Sequence, residues 1–272
     1  MYKDRVGVQV VASRPDYLAV LLTSLKTQTY NKWDLVLVVQ DEEIIRNPLV
    51  SSILERLQLE GHRVSLMLAN RSLGLCEMRN MALENDKCEY GLRIDDDSLC
   101  EPDFIQLLVS KMPAVCGGVV PPIRTYTLAP IRNDLNEVDK DGNIKDDFLP
   151  IYNTSESFEV DHIRSSMMYV NEEARKIKFP TYNDSLASFR EETDFCIRMK
   201  LAGTKIIFYP KAICWHFLAG YGGCRDFKFK DPPTAIKEAD MRFRRKLKEY
   251  GWDKYKAERS KDAEKIKKVA GR

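Results

Sequence analysis

Several features that define whole classes of protein are missing from this sequence. No run approaches eighteen consecutive apolar residues, so no membrane-spanning helix is expected. The first thirty residues lack a basic region followed by a small-residue cleavage site, and the expectation is a soluble, cytoplasmic protein. The 7 cysteines, at positions 76, 88, 100, 116, 196, 214 and 224, are odd in number and include no Cys-x-x-Cys pair. A disulfide framework or structural zinc site is therefore not expected, and most of them read as buried thiols. No internal repeat at solenoid spacing occurs. Charge of one sign is also lacking: 43 Lys and Arg stand against 41 Asp and Glu, and a net charge of +2 selects no partner for the chain as a whole.

What is present is ample for folding. In 272 residues, 44% hydrophobic and 10% aromatic, there is enough apolar surface for a full core, which excludes a disordered or low-complexity chain. The run Arg5-Val-Gly-Val-Gln-Val-Val-Ala12 predicts a buried strand, followed by Ser13 as a helix cap and Pro15 in the first turn. Further strands are expected at residues 33–39, 62–69 and 90–94, separated by helices, the second of them interrupted at Asn47-Pro48. A helix over 103–111 and a strand over 114–120 come next; then 122–157 turns polar and reads as a hairpin or excursion over the sheet. Residues 160–170 suggest strands, 189–201 a helix ended by Gly203, and 204–209 and 212–216 two short strands. Gly220-Tyr-Gly-Gly-Cys224 reads as a flexible loop, and from Ala235 the chain is helical almost to its end.

Strands alternating with helices imply right-handed crossovers and a mostly parallel α/β sheet, whose ligand crevice lies at the carboxyl ends of its strands. Ser13-Arg14, Gln40-Asp41, Asn70-Arg71 and Asp95-Asp96-Asp97 all fall at such ends. Three adjacent carboxylates repel one another and do not help folding unless a cation neutralises them. Hard oxygen ligands at a strand end suit Mg²⁺ or Mn²⁺, and alternation along an extended segment would aim Asp95 and Asp97 together at the crevice. A second cluster, Glu191-Glu192-Thr-Asp194, opens a helix, where a carboxylate is either a solvated cap or a base for an acceptor hydroxyl. His216, at the end of a strand, is either a structural residue or a metal ligand.

In order, the segments Val8-Gln-Val-Val-Ala-Ser-Arg14, Leu35-Val-Leu-Val-Val-Gln-Asp41, Asn70-Arg-Ser-Leu-Gly-Leu-Cys-Glu-Met-Arg-Asn80, Ile94-Asp-Asp-Asp97, Arg190-Glu-Glu-Thr-Asp-Phe195, Lys200-Leu-Ala-Gly203 and Trp215-His216 resemble a family 2 glycosyltransferase of the GT-A fold. The resemblance spans residues 5–217. It implies a GT-A domain over 1–234, with a nucleotide-binding half to about 120 and an acceptor-side half beyond it, and a basic helical extension over 235–272. It implies a UDP- or GDP-sugar as donor, Mn²⁺ or Mg²⁺ as metal, inversion at the anomeric carbon, and a glycan or glycolipid as acceptor.

By position, Ser13, Arg14 and Asp41 would hold the nucleotide base, and Asn70, Gly74 and Arg79 would lie along the nucleotide and diphosphate. Asp95 would sit near ribose and sugar with Asp96 beside it, and Asp97 would bind the metal together with His216 and Asp95. The base would be Glu192, with Glu191 and then Asp194 in reserve; the family more often carries an aspartate at the Glu192 position. A lid at Gly220-Tyr-Gly-Gly223, and Tyr221 or Trp215 stacking on sugar or base, complete the implied site.

The near-neutral total hides an asymmetry. Residues 235–272 carry 14 Lys and Arg against 7 acids, leaving 29 against 34 in the first 234. Such a tail would contact an anionic membrane or nucleic acid, or pack through Met241, Phe243, Leu247, Tyr250 and Trp252 on the catalytic domain. The competing functions are transfer of a sugar to modified DNA bases, nucleic-acid binding by an inactive GT-A domain, and a sugar nucleotidyltransferase. The last would want a glycine-rich loop after the first strand, and Val11-Ala-Ser-Arg-Pro15 contains no glycine.

Overall fold

The structure, a computed structural model, describes residues 2–70, 73–119, 137–145, 156–181, 190–217, 219 and 232–270. Its centre is a parallel sheet in the order β3 (Val64–Leu68), β2 (Trp33–Val39), β1 (Tyr2–Ala12), β4 (Cys88–Asp95). Period-two alternation sends the side chains of these β-branched strands to two different layers. Val8, Val10, Leu35 and Leu37 pack with Leu18 and Leu22 of α1 (Pro15–Lys26) and Leu54 of α3 (Pro48–Leu59). Val36 and Val38, on the other face, pack with Met78 and Ala82 of α4 (Leu75–Asn85). Each crossover therefore buries a helix, and all four strands point their carboxyl ends the same way.

Asn47 ends the short α2 (Glu42–Arg46) and caps α3, accepting from the amides of Leu49 and Val50, which is why the pattern breaks at Asn47-Pro48. The first turn of α1 is capped differently from the expectation at Ser13. No side chain of its own segment caps it; the carboxylate of Asp96 accepts from the amides of Ser13 (2.9 Å) and Arg14 (3.1 Å) instead.

Beyond β4 the sheet becomes mixed. After β5 (Ser98–Cys100) and α5 (Phe104–Val109), β6 (Val115–Val119) enters the sheet, and β10 (Met167–Val170) runs antiparallel between β4 and β6. Residues 160–166 form no strand. The two strands expected over 204–216 are one, β11 (Ile206–His216), with a register shift between Tyr209 and Ile213 where Pro210 supplies no amide hydrogen. Gly118 admits that bulge, because a Cβ there would sit 1.9 Å from the carbonyl oxygen of Ala212. The far end of β11 pairs antiparallel with β5, bringing the chain just after the aspartate triplet beside His216.

Within residues 122–157 the described part is a hairpin of β7 (Glu137–Val138) and β8 (Ile144–Lys145), turning through Gly142 at φ +83°. Over it lie α8 (Pro232–Tyr250) and α9 (Trp252–Ala270), separated at Gly251, whose φ is +77°. Phe243, Leu247 and Trp252 are buried against Val138 and Ile197 of α7 (Glu191–Leu201), while Met241 stays exposed. Lys256 pairs with Asp161 at 3.0 Å, so part of the tail's charge is spent inside the fold.

Candidate active site

Strand ends, α7 and the tip of β11 converge on one crevice, and every expected site residue lies in the described region except those of the 220–223 loop. The aspartate triplet does not continue as an extended strand. β4 stops at Asp95, and residues 96–97 form a turn, so the three carboxylates part rather than alternate. Asp95 accepts from Arg93 Nη2 (2.9 Å), Ser165 Oγ (3.0 Å) and Arg79 Nη2 (3.3 Å). Asp96 is buried and gives both oxygens to Arg14 and to the two amides that open α1. Burial and these bonds make Asp96, expected beside Asp95 near the nucleotide sugar, an anchor of the first turn of α1.

Asp97 accepts from Arg14 Nη1 and Nη2, both at 3.0 Å, from the amide of Ala219 (2.9 Å), and lies 3.0 Å from His216 Nε2. Burial would raise the Asp97 carboxyl, but the His216 hydrogen bond and charge outweigh it and hold the group below its ordinary value. Burial opposes charge on His216, and the Asp97 bond with the Asp95 and Asp97 charges raises its pKa nonetheless.

On the opposite wall, α7 presents Glu191 and Glu192. Glu191 Oε1 pairs with Arg79 Nη1, and Glu191 Oε2 is buried with no hydrogen-bond partner among the described residues. Glu192 Oε1 accepts from the Ser165 amide at 3.1 Å and lies 2.7 Å from Arg93 Nη1. The backbone around them is strained: Ser165 at φ +60° and Arg190, at the N-cap of α7, at φ +73° hold left-handed conformations that non-glycine residues avoid. Burial pushes the Glu191 carboxyl up, the neighbouring Glu192 charge adds, and Arg79 only partly opposes, leaving a pKa of about 8. Glu192 is raised as well, first by burial, with Arg79 opposing and Asp95 adding. Asp194 does not join them. It is fully buried, accepts from Arg198 (2.6 Å) and from the Tyr250 hydroxyl (3.2 Å), and ties α7 to α8.

The remaining expected residues line the rim. Ser13 and Asn70 are exposed, Asp41 caps α2 through the amide of Glu43 (3.1 Å), and Gly74 caps α4, its amide donating to Glu77 (2.8 Å). Arg14 and Arg79, expected on the base and the diphosphate, are instead buried against carboxylates. Trp215 donates from Nε1 to Glu101 at 2.6 Å. Two residues were not anticipated, Arg93 and Ser165. Arg93 carried a signal, a charged residue inside an otherwise apolar strand; Ser165 owes its place to a backbone conformation no sequence pattern announces.

In fold, the chain is similar to S. aureus TarS 1–349, at 16% identity and a TM-score of 0.56, covering 78% of this chain and 60% of that one. The same protein in complex with UDP-GlcNAc matches at 16% identity and a TM-score of 0.58, covering 86% and 65%. GalNAc-T7 with UDP, GalNAc and Mn²⁺ matches at 15% identity and a TM-score of 0.63, covering 80% of this chain and 45% of that one. The chain thus spans less than two thirds of each of these structures. No curated protein matches it in sequence. The architecture is that of the GT-A fold. The model of glycosyl transferase family 2 matches residues 10–172, more than half of the chain, and the chain belongs to that family.

Proposed function

We propose that this protein is a metal-dependent, inverting glycosyltransferase that moves a sugar from a UDP- or GDP-sugar to an acceptor hydroxyl of a glycan or glycolipid. The observation that carries the reading is the pairing of Asp97 and His216 at 3.0 Å, at the crevice formed by four parallel strand ends and facing Glu191 and Glu192. Two ligands adjacent in the shell of Mg²⁺ or Mn²⁺, each about 2.1 Å from the ion, lie about 3 Å apart, so a carboxylate oxygen and an imidazole nitrogen at this separation suit neighbouring positions. Among the described residues no group of three or more acidic, His or Cys side chains is arranged to hold a metal ion. The other positions would thus fall to phosphate oxygens and water, as this kind of ion prefers. Charge agrees: five carboxylates, Asp95, Asp96, Asp97, Glu191 and Glu192, meet three guanidiniums, Arg14, Arg79 and Arg93. When bound, the cation would neutralise charge building on the departing nucleoside diphosphate.

The chain's own residues do the rest. Glu192 takes the proton of the acceptor hydroxyl as its oxygen bonds to the anomeric carbon from the face opposite the leaving group. Arg93 and the Ser165 amide fix Glu192 Oε1, so the base is held in one orientation. Glu191 shares the buried site, and burial raises both carboxyls, so the pair favours holding a proton between them. Asp95, held by two guanidiniums and Ser165, would accept from ribose or sugar hydroxyls.

Exposed Arg245, Lys248, Lys254 and Lys261 on α8 and α9 support contact with an anionic membrane surface, ahead of nucleic acid. No helix among the described residues is long and apolar enough to cross a membrane. The test of the reading is sugar transfer or donor hydrolysis by Asp97→Ala across a panel of UDP- and GDP-sugars with Mn²⁺. Loss of turnover with the fold retained is expected, and unchanged turnover would sink the reading.

A further inference from the structure

The strands that bring Asp97 and His216 together also carry two opposed thiols. Cys100 in β5 and Cys214 in β11 are direct partners in the antiparallel register, and their Sγ atoms lie 3.8 Å apart. The Glu101 amide donates to the Ile213 carbonyl (3.1 Å) and the Phe217 amide to the Asp97 carbonyl (2.8 Å). In an antiparallel ladder these bonds place Cys100 and Cys214 at a non-hydrogen-bonded pair, where opposed Cα atoms are only about 4.5 Å apart and side chains come closest. That spacing falls inside the range of about 4.4–6.8 Å that a disulfide spans, and the sulfurs need only close to about 2.05 Å.

We infer that Cys100 and Cys214 form a site of reversible thiol oxidation, closing to an intramolecular disulfide on reaction with a hydroperoxide and bracing the strand pair that presents Asp97 and His216. Cys100, whose side chain is buried, is among the residues that line an open groove of about 540 Å³ between α1, α3 and β5. One sulfur of the pair attacks the peroxide O–O bond, becomes a sulfenic acid and releases one water, or one alcohol from an alkyl hydroperoxide. The other sulfur then attacks it, the S–S bond forms as the S–O bond breaks, and a water leaves. Two thiols lose two electrons and the peroxide gains them; a thiol reductant reverses the change by exchange. Closure draws together strands on which Asp97 immediately precedes β5 and His216 ends β11, two residues beyond Cys214. The functional consequence rests on the proposed metal site, whereas the bond itself does not.

The test uses the full chain treated with hydrogen peroxide, free thiols then being alkylated and the protein digested without reduction. A peptide pair linked through Cys100 and Cys214, short of two hydrogens and released by dithiothreitol, is the expected result. The melting temperature should rise by about 5–10 °C on oxidation, revert on reduction, and not respond in Cys100→Ala. Recovery of both residues as alkylated thiols, or linkage of either to Cys76, Cys88, Cys116, Cys196 or Cys224, overturns the proposal. Because the mapping is read on the unaltered protein and without sugar transfer, a variant that fails to fold or an inactive enzyme leaves it decisive. A native link that alters neither melting temperature nor Mn²⁺-dependent binding of nucleoside diphosphate overturns the bracing role.

Discussion

The two acidic clusters, residues 95–97 and 191–194, look alike on the page and are resolved in the same way in space. In each, one carboxylate turns inward to hold the fold: Asp96 with Arg14 beneath the first turn of α1, Asp194 with Arg198 and Tyr250 between α7 and α8. The others remain at the crevice, Asp95 and Asp97 on one wall, Glu191 and Glu192 on the other. They differ in their counter-charge. Asp97 meets one guanidinium and a partly exposed imidazole, whereas Glu191 and Glu192 face two buried guanidiniums, Arg79 and Arg93. Adjacency in sequence therefore says little about shared work; each carboxylate takes its role from the cation opposite.

Substitutions within a cluster should separate the roles. Glu192→Gln keeps shape and removes the proposed base, and turnover should fall roughly 10²–10⁴-fold with KM little changed, as steady-state kinetics would read. An equal loss in Asp194→Asn would erase the distinction drawn here. Asp96→Ala strips Arg14 of a buried partner and two amides of their cap, and should cost about 3–5 kcal/mol in denaturant unfolding. Asp194→Asn should cost less, about 1–3 kcal/mol, with turnover near that of the unaltered protein below its melting point.

A pH series sharpens the contrast between the walls. The folded pKa of Glu191, about 8, is above its unfolded value, so the folded state holds the proton more tightly. Its favourable contribution is complete below the unfolded value and is lost as pH rises towards 8. Unfolding free energy of the unaltered protein should therefore fall relative to Glu191→Gln between about pH 5 and pH 8. Parallel curves would place the shared proton elsewhere. The smallest effect expected is that of Tyr250→Phe, which removes one hydroxyl from Asp194 and should cost about 0.5–1.5 kcal/mol.

Much of the first half was legible because burial writes itself into strands as apolar runs: β1, β2 and β4 were read to within a few residues, and with them the crevice at their ends. The rest failed where a long-range partner decides. Asp96 replaces the Ser13 cap from more than eighty residues away, which no local pattern contains. The pattern over 204–216 reads as two short strands, yet Gly118 on β6 lets β11 continue through a bulge. For the tail, packing through its apolar side was one of the readings the pattern allowed, and Phe243, Leu247 and Trp252 do bury it on α7 and the β7–β8 hairpin. At the site, residue types were legible and their division of labour was not, since that depends on which guanidinium each carboxylate meets.

The proposed function requires Asp97 and His216 to hold a cation on which binding of the nucleoside diphosphate depends. Thermal shift of the full chain with UDP or GDP, with and without Mn²⁺, reads this dependence, because a ligand that binds only the folded state raises the melting temperature. One of the two nucleotides should stabilise the protein only when Mn²⁺ is present, and the effect should be lost in His216→Ala. Equal stabilisation without metal, or an undiminished metal-dependent shift in that variant, would rule the cation site out.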